Sequence, residues 1–170
     1  GGVPPPPAYG LLRSRTAGSD PQSPVSDPEL GYASTLPRQG PLPEGALLVR
    51  EARAVRAGRA GLRDGTHLFV VMVGDPDNIR LVHEQSLRAT DWTAGHSSLV
   101  SPREFDSRWA RGAWGPGHCR HTVLFAGELD YREGVGVLRW NNCSGHYKPA
   151  CEDHWRVPLG HDTFRPVSLR

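Results

Sequence analysis

Lysine, methionine and cysteine are scarce in this chain of 170 residues. Only Lys148 among the 20 basic side chains is a lysine, and the chain has one methionine and three cysteines. The formal net charge is +2. A domain that holds a phosphate backbone usually carries a clear excess of basic charge, so the composition gives no strong electrostatic case for nucleic-acid binding.

The cysteines Cys119, Cys143 and Cys151 are odd in number and form no C-x-x-C pair. The sequence therefore predicts neither a disulfide framework nor a structural zinc site. A C-x2-H pattern occurs twice at an interval of eight, at Cys143 with His146 and at Cys151 with His154. This spacing differs from the usual four-ligand patterns, and we expect no metal.

Long apolar runs are also missing. No stretch of 18 apolar residues occurs, and the N-terminus has no basic region followed by an apolar core, so neither a membrane span nor a signal peptide is predicted. Because the chain begins Gly-Gly, we expect it to be a piece of a longer polypeptide. The sequence has no nucleophile elbow, Walker loop, dinucleotide-binding glycine motif, H-E-x-x-H or zinc-deaminase signature.

A shift in composition predicts two parts. Residues 1–45 hold ten of the 16 prolines and predict a linker, or a strap docked over the domain through its few apolar residues. With 37% hydrophobic residues, the chain can bury one sizeable core, which we place in residues 46–170.

The predicted domain is α+β, a sheet-dominated single domain built from two β-hairpins with few short helices. A helix is predicted near 46–57, and loops with helical turns over 84–95 and 101–120. Strands over 67–73 and 79–83 flank turn residues 74–78, and the continuous apolar first strand indicates a central position, buried on both faces. The second hairpin pairs 122–131 with 136–140.

Two short stretches concentrate chemically capable side chains. The second hairpin runs into 141–149, which carries amide, thiol, hydroxyl, imidazole, phenol and ammonium groups side by side. The other stretch is Gly95-His96-Ser97-Ser98-Leu99. Taken alone, His96 is a common surface histidine and its two serines are common helix caps. The predicted topology places both stretches at the same end of the sheet.

The ordered set GHSSL, AGEL, a glycine turn and NNCSGHYKP resembles a recurrent C-terminal module of bacterial polymorphic toxins, including the Rhs type. A similar set resembles a region of plant IQ-motif calmodulin-binding proteins, although no IQ motif is present here and no calmodulin partner is expected. The resemblance covers roughly residues 67–166. It implies a secreted or delivered toxin domain of a larger protein, which acts in a target cell and has a cognate immunity protein.

The residue chemistry favours NAD-dependent ADP-ribosyl transfer to a macromolecule of the target cell. Such an enzyme needs a polar anchor for the nicotinamide ribose, a stacking ring and a carboxylate that acts on the oxocarbenium-like centre. We assign these roles to His96 with Ser97, to Tyr147 and to Glu128. Ser98 and Ser144 complete the predicted cofactor-binding set. Glu128 precedes Tyr147, the reverse of the usual order, and Glu152 is the alternative carboxylate.

Two other interpretations remain open. A metal-independent ribonuclease can use a histidine pair as general base and acid, with Lys148 or Tyr147 at the phosphorane, and His96 and His146 are the candidates. In a non-catalytic binding module, the polar residues only satisfy backbone groups at the end of a sheet. Glu128 can likewise be an ordinary surface carboxylate paired with an arginine.

Overall fold

A computed structural model describes residues 42–88, 94–100, 123–145, 147 and 149–167. Most of the predicted linker, the predicted loop 101–120, His146, Lys148 and Cys119 lie outside this part of the chain. None of the helices within it is both long and apolar enough to cross a membrane.

Strands make up most of the regular structure. The strands are β1 Leu48–Glu51, β2 Gly65–Met72, β3 Asp75–His83, β4 Val123–Arg132 and β5 Gly136–Trp140. The α-helices are short, α1 Ala52–Ala57 and α2 Glu84–Arg88. Among the described residues, three 3-10 turns cover His96–Leu99, Cys151–Arg156 and His161–Thr163. The predicted α+β class with few short helices agrees with this content.

The five strands form one antiparallel sheet in the order β1-β3-β2-β4-β5. The predicted pairings of β2 with β3 and of β4 with β5 are present, and β2 lies in the centre as its apolar run indicated. His67 to Met72 are all buried. The sheet joins the two pairs directly, because β2 also pairs with β4 along its whole length.

The helix predicted over 46–57 is wrong in its first half. Leu48 to Glu51 form β1 and pair with β3, and the helix covers only Ala52–Ala57. Good helix formers do not decide the outcome here, because pairing on the open edge of β3 satisfies the backbone groups of this segment. The predicted turn 74–78 is also shorter, since β3 already begins at Asp75.

One face of the sheet, here called the helix face, is covered by α1 and by the C-terminal 3-10 turns. Its strand residues are Phe69, Val71, Ile79, Leu81, Phe125, Leu129, Tyr131, Val137 and Trp140, packed with Val55, Leu159 and Phe164. The Trp140 and Phe164 rings lie 4.7 Å apart, and the Trp140 indole N–H donates to the Gly160 carbonyl at 2.7 Å. These contacts fasten the C-terminal segment to β5.

The opposite face, here called the cleft face, is apolar over part of its area only. Leu68, Val70, Met72, Val82, Val123 and Ala126 form its buried strand residues, and Leu99, Val100 and Tyr147 pack on them. Leu42 and Ala46 also pack against this group. Leu42 lies in the segment predicted as a linker or docked strap, and Ala46 lies in the predicted domain.

His67 is a fully buried histidine on the helix face. Its Nδ1–H donates to the Gly65 carbonyl at 3.1 Å, so the neutral ring turns an unprotonated Nε2 into the interior. That atom has no hydrogen-bond partner within the described part of the chain. Burial lowers the pKa of His67 to about 4. The neighbouring His83 lowers this pKa further, and the hydrogen bond to Gly65 acts in the opposite direction.

This burial predicts an acid-sensitive fold. Between pH 6.5 and about 4 the unfolded chain binds a proton at His67 and the folded chain does not, so stability is lost as pH falls through that window. We expect His67→Leu to flatten the decline of the urea unfolding midpoint between these pH values. Equal slopes for the variant and the wild type would show that His67 does not cause the acid sensitivity.

Candidate functional site

Polar side chains occupy the cleft face where β2, β4 and β5 lie side by side. Thr66, Asp130 and Arg139 stand opposite one another in the register of the three strands. They line an open cleft of about 280 Å³ together with Glu128, Leu129 and Asn141. Toward Met72, the β2 and β4 residues of the same face are the apolar Val70, Met72, Ala126 and Val123, so the cleft begins where this apolar packing ends.

Asp130 is held by its cross-strand neighbours. Thr66 Oγ1 donates to Asp130 Oδ1 at 2.6 Å, and Arg139 Nε forms a hydrogen-bonded ion pair with Oδ2. Burial alone would raise the pKa of Asp130, but the hydrogen bonds from Thr66 and Arg139 and the charge of Arg139 outweigh it and the pKa is lowered. Asp130 therefore stays ionised, and its two oxygens are already occupied.

Glu128 lies opposite Leu68 on the same face and is half-buried. Within the described residues, no cationic side chain forms an ion pair with it. Burial raises the pKa of the Cys143 thiol, and the charge of Glu128 adds to the rise. Glu128 and Asp130 thus both line the cleft but differ in their surroundings, because Asp130 is paired with Arg139 and Glu128 has no ion pair among the described residues.

The chain after β5 is fastened to β4 by Asn141. Its Oδ1 accepts the backbone N–H of Glu128 and that of Cys143, both at 2.9 Å. Its own N–H donates to the Glu128 carbonyl at 2.9 Å. The backbone of Asn141 approaches residue 127 so closely that only glycine fits there, because a Cβ would lie 1.9 Å from the Asn141 carbonyl oxygen.

His96 lies on the cleft face in the 3-10 turn His96–Leu99. Its Nε2–H donates to the Gly127 carbonyl at 2.8 Å, and the side chain is only 7% exposed. The turn is fixed by Ser98, whose Oγ accepts the Gly95 N–H, and by Arg80, which donates to the Leu99 carbonyl. His96 therefore lies next to the backbone of the strand that carries Glu128.

The other predicted binding residues are buried. Ser97 and Ser144 are inaccessible, and Ser144 Oγ accepts the Tyr147 N–H at 3.2 Å. The Tyr147 side chain is 2% exposed and packs with Leu99 and Ala126, so it offers no open ring face for stacking a ligand in this conformation. The role of these residues in cofactor binding stays a prediction.

The structure places His96, Glu128 and Tyr147 on the same face of the sheet. His146, the second histidine of the predicted nuclease pair, lies outside the described residues. Sequence reasoning missed Thr66, Asp130 and Arg139, whereas Asn141 and Cys143 belong to the polar stretch 141–149 but were given no role in the predicted site. Cross-strand alignment would have found part of this set, since Thr66, Asp130 and Arg139 become neighbours once the strands are paired.

In the part of the chain that the structure describes, no group of three or more His, Cys, Asp or Glu side chains is placed to hold a metal ion. The half-buried thiols of Cys143 and Cys151 are both free.

Comparison with protein-family models, with curated proteins and with solved structures finds no match to this chain.

Proposed function

We propose that this domain transfers ADP-ribose from NAD to a macromolecule, as the toxin end of a larger delivered protein. The single observation that carries the proposal is the position of Glu128. It is a carboxylate that faces an open polar cleft and, among the described residues, has no cation to neutralise it. Two carboxylates with such different surroundings are typical of active sites in which the two groups have different catalytic roles.

In the proposed reaction, the bond between C1′ of the ribose and the nicotinamide nitrogen breaks. The electron pair leaves with the nicotinamide, which departs as a neutral molecule, and positive charge develops on the sugar. The Glu128 carboxylate stabilises that charge, which is larger in the transition state than in bound NAD. A lone pair of the acceptor then forms the new bond to C1′, and the proton of the acceptor passes to solvent.

The cleft fits the ribose part of NAD better than the whole dinucleotide. Its volume of about 280 Å³ lies at the lower end of ligand sites, and its walls are hydroxyl, amide, guanidinium and carboxylate groups. Such groups bind sugar hydroxyls. The aromatic contact for nicotinamide, assigned to Tyr147, would require that buried ring to become accessible when the ligand binds.

A binding module is the second candidate, and the hydrogen bonds after β5 favour it. Asn141, Asn142 and Ser144 all bind backbone groups, which is the behaviour of a satisfied sheet end. The ribonuclease interpretation has less support, because His96 is buried and its Nε2–H is already donated to a strand carbonyl.

One incubation separates the three functions. The purified chain is mixed with NAD labelled in the adenylate and with a cell lysate, and in parallel with total RNA. We expect labelled macromolecules and free nicotinamide in the first mixture and intact RNA in the second. Cleaved RNA without NAD consumption would establish the nuclease. If neither labelled macromolecules nor cleaved RNA form, the binding module is the remaining interpretation.

The toxin part of the proposal has its own test. Expression of the chain inside bacteria should arrest growth, and Glu128→Gln should relieve the arrest at equal amounts of folded protein. Normal growth with verified expression of the folded wild type would contradict a toxin role in that host.

A further inference from the structure

The helix α1 and the chain that follows it carry a basic surface. Residues 50–64 hold five arginines and two acidic residues, a local charge of +3 in a chain whose formal total is +2. α1 contacts β1, β3 and β5 and therefore lies across the helix face, with Ala52 and Val55 turned into the core. Three arginines, here called the arginine surface, are exposed on its outer side and just after it: Arg53, Arg56 and Arg59.

The carboxylates next to the arginine surface do not neutralise it. Asp64 Oδ1 accepts the Glu133 N–H at 2.8 Å, and Glu133 Oε1 accepts the Gly61 N–H at 3.1 Å. Both acidic side chains therefore bind backbone groups rather than arginines. Among the described residues, none of the three arginines forms an ion pair. Their positive charge is available to a partner.

An exposed apolar residue lies beside the arginine surface. The Gly134 N–H donates to the Gly58 carbonyl at 2.8 Å, which fastens the turn between β4 and β5 to the end of α1. Val135 follows in that turn and is 58% exposed, more than any other large hydrophobic residue of the described chain. The surface therefore combines positive charge with an aliphatic side chain in contact with solvent.

We propose that the arginine surface docks on an anionic phospholipid membrane. The phosphate and carboxylate groups of such lipids attract exposed basic side chains, and an aliphatic residue beside them enters the interface. A single-stranded nucleic acid fits this surface less well. Its bases are held by stacking on aromatic rings, and residues 50–64 contain none.

This docking has a defined orientation. The cleft lies on the opposite face of the sheet, so a membrane bound at α1 leaves the cleft open to water. Two carboxylates, Glu128 and Asp130, line the cleft against the guanidinium of Arg139, and an anionic surface repels that face. The inference does not depend on the reaction in the cleft, so it holds or fails separately from the proposed function.

The test is sedimentation of the full chain with vesicles made of equal parts phosphatidylserine and phosphatidylcholine, beside vesicles of phosphatidylcholine alone. We expect binding to the anionic vesicles only. Binding should fall steeply from about 0.1 M to about 1 M salt, since the Debye length shrinks from about 10 Å to about 3 Å. Equal binding to both kinds of vesicle, or to neither, would overturn the proposal.

Substitutions in the arginine surface test which side chains bind. Arg53→Gln and Arg59→Gln should each weaken binding to the anionic vesicles by about fivefold, and the double variant by roughly 30-fold. Arg56 stays unchanged, because it approaches Gly160 where Asp162 also lies. The changed side chains are exposed, so melting curves of all variants should match the wild type.

Arg88→Gln is the matched control for each single variant. It removes the same charge from an exposed arginine of α2, a helix that packs on the cleft face through Leu87. We expect vesicle binding like that of the wild type. A loss equal to that of Arg59→Gln would mean that net charge alone controls binding, and the assigned surface would be wrong.

Val135→Ser removes the apolar contribution and leaves the charge as it is. We expect roughly threefold weaker vesicle binding or more, with an unchanged dependence on salt. Duplex RNA at the same phosphate concentration serves as the competitor. If the wild type prefers the RNA to the anionic vesicles, and the Arg53→Gln, Arg59→Gln double variant loses that RNA binding, the surface serves a nucleic acid and the lipid proposal fails.

Discussion

Glu128→Gln is expected to lower kcat for ADP-ribosyl transfer by roughly 10²–10³-fold, the loss typical of one preorganised group that acts on transition-state charge. The Kd for NAD should change little, because the charge on the sugar develops only as the nicotinamide leaves. The measurement is initial release of nicotinamide under saturating NAD, with Kd determined separately by calorimetry. The amide keeps the size of the side chain, so the fold should persist.

The matched control for this prediction is Glu152→Gln. Glu152 is the alternative carboxylate from the sequence, but it is exposed in the 3-10 turn Cys151–Arg156 and does not line the cleft. Its variant should keep full turnover. A large loss of turnover in Glu152→Gln, with full turnover in Glu128→Gln, would make Glu152 the catalytic carboxylate instead of Glu128.

The two-histidine nuclease predicts a different result. In that mechanism, His146→Ala would abolish RNA cleavage, and Glu128→Gln would reduce it only slightly.

Gly127→Ala should cause the largest loss of stability among single-methyl changes on β4. The added Cβ would lie 1.9 Å from the Asn141 carbonyl oxygen and 3.2 Å from the Phe69 ring. The first of these is a backbone atom, which moves only if the chain after β5 separates from β4. We expect a loss at or above the upper end of the roughly 1–3 kcal/mol seen for overpacking, with a melting temperature lower by about 10 °C.

Gly145→Ala provides the comparison in the same region of the chain. A Cβ at Gly145 meets nothing within 4 Å. Its effect should stay within about 0.5 kcal/mol, as for most exposed substitutions. Calorimetric melting of both variants tests the pair, and similar melting temperatures would mean that Asn141 does not pack against Gly127 in solution.

The strands were predictable because their signals are local. The residues Leu68 to Met72 are all apolar, so both faces of this strand need burial, which a central strand provides. The turn at Arg132 to Gly134 lies between two strand-like segments, and β4 and β5 pair across it. The residues Leu48 to Glu51 are compatible with a helix as well as with a strand, and the local sequence predicts a helix. Their strand partner β3, which decides the outcome, is about 30 residues away in the chain.

The sequence by itself determined the sheet-dominated class and the central place of β2, and it singled out two polar stretches, His96 to Leu99 and the chain after β5. Only the tertiary structure decided which of their polar groups face a cleft and which bind backbone. Tyr147 and Ser144 are buried, whereas Glu128 and Asn141 line the cleft. The physical reason is that burial and hydrogen bonding depend on strand register across distant segments, which no local pattern of residue types specifies.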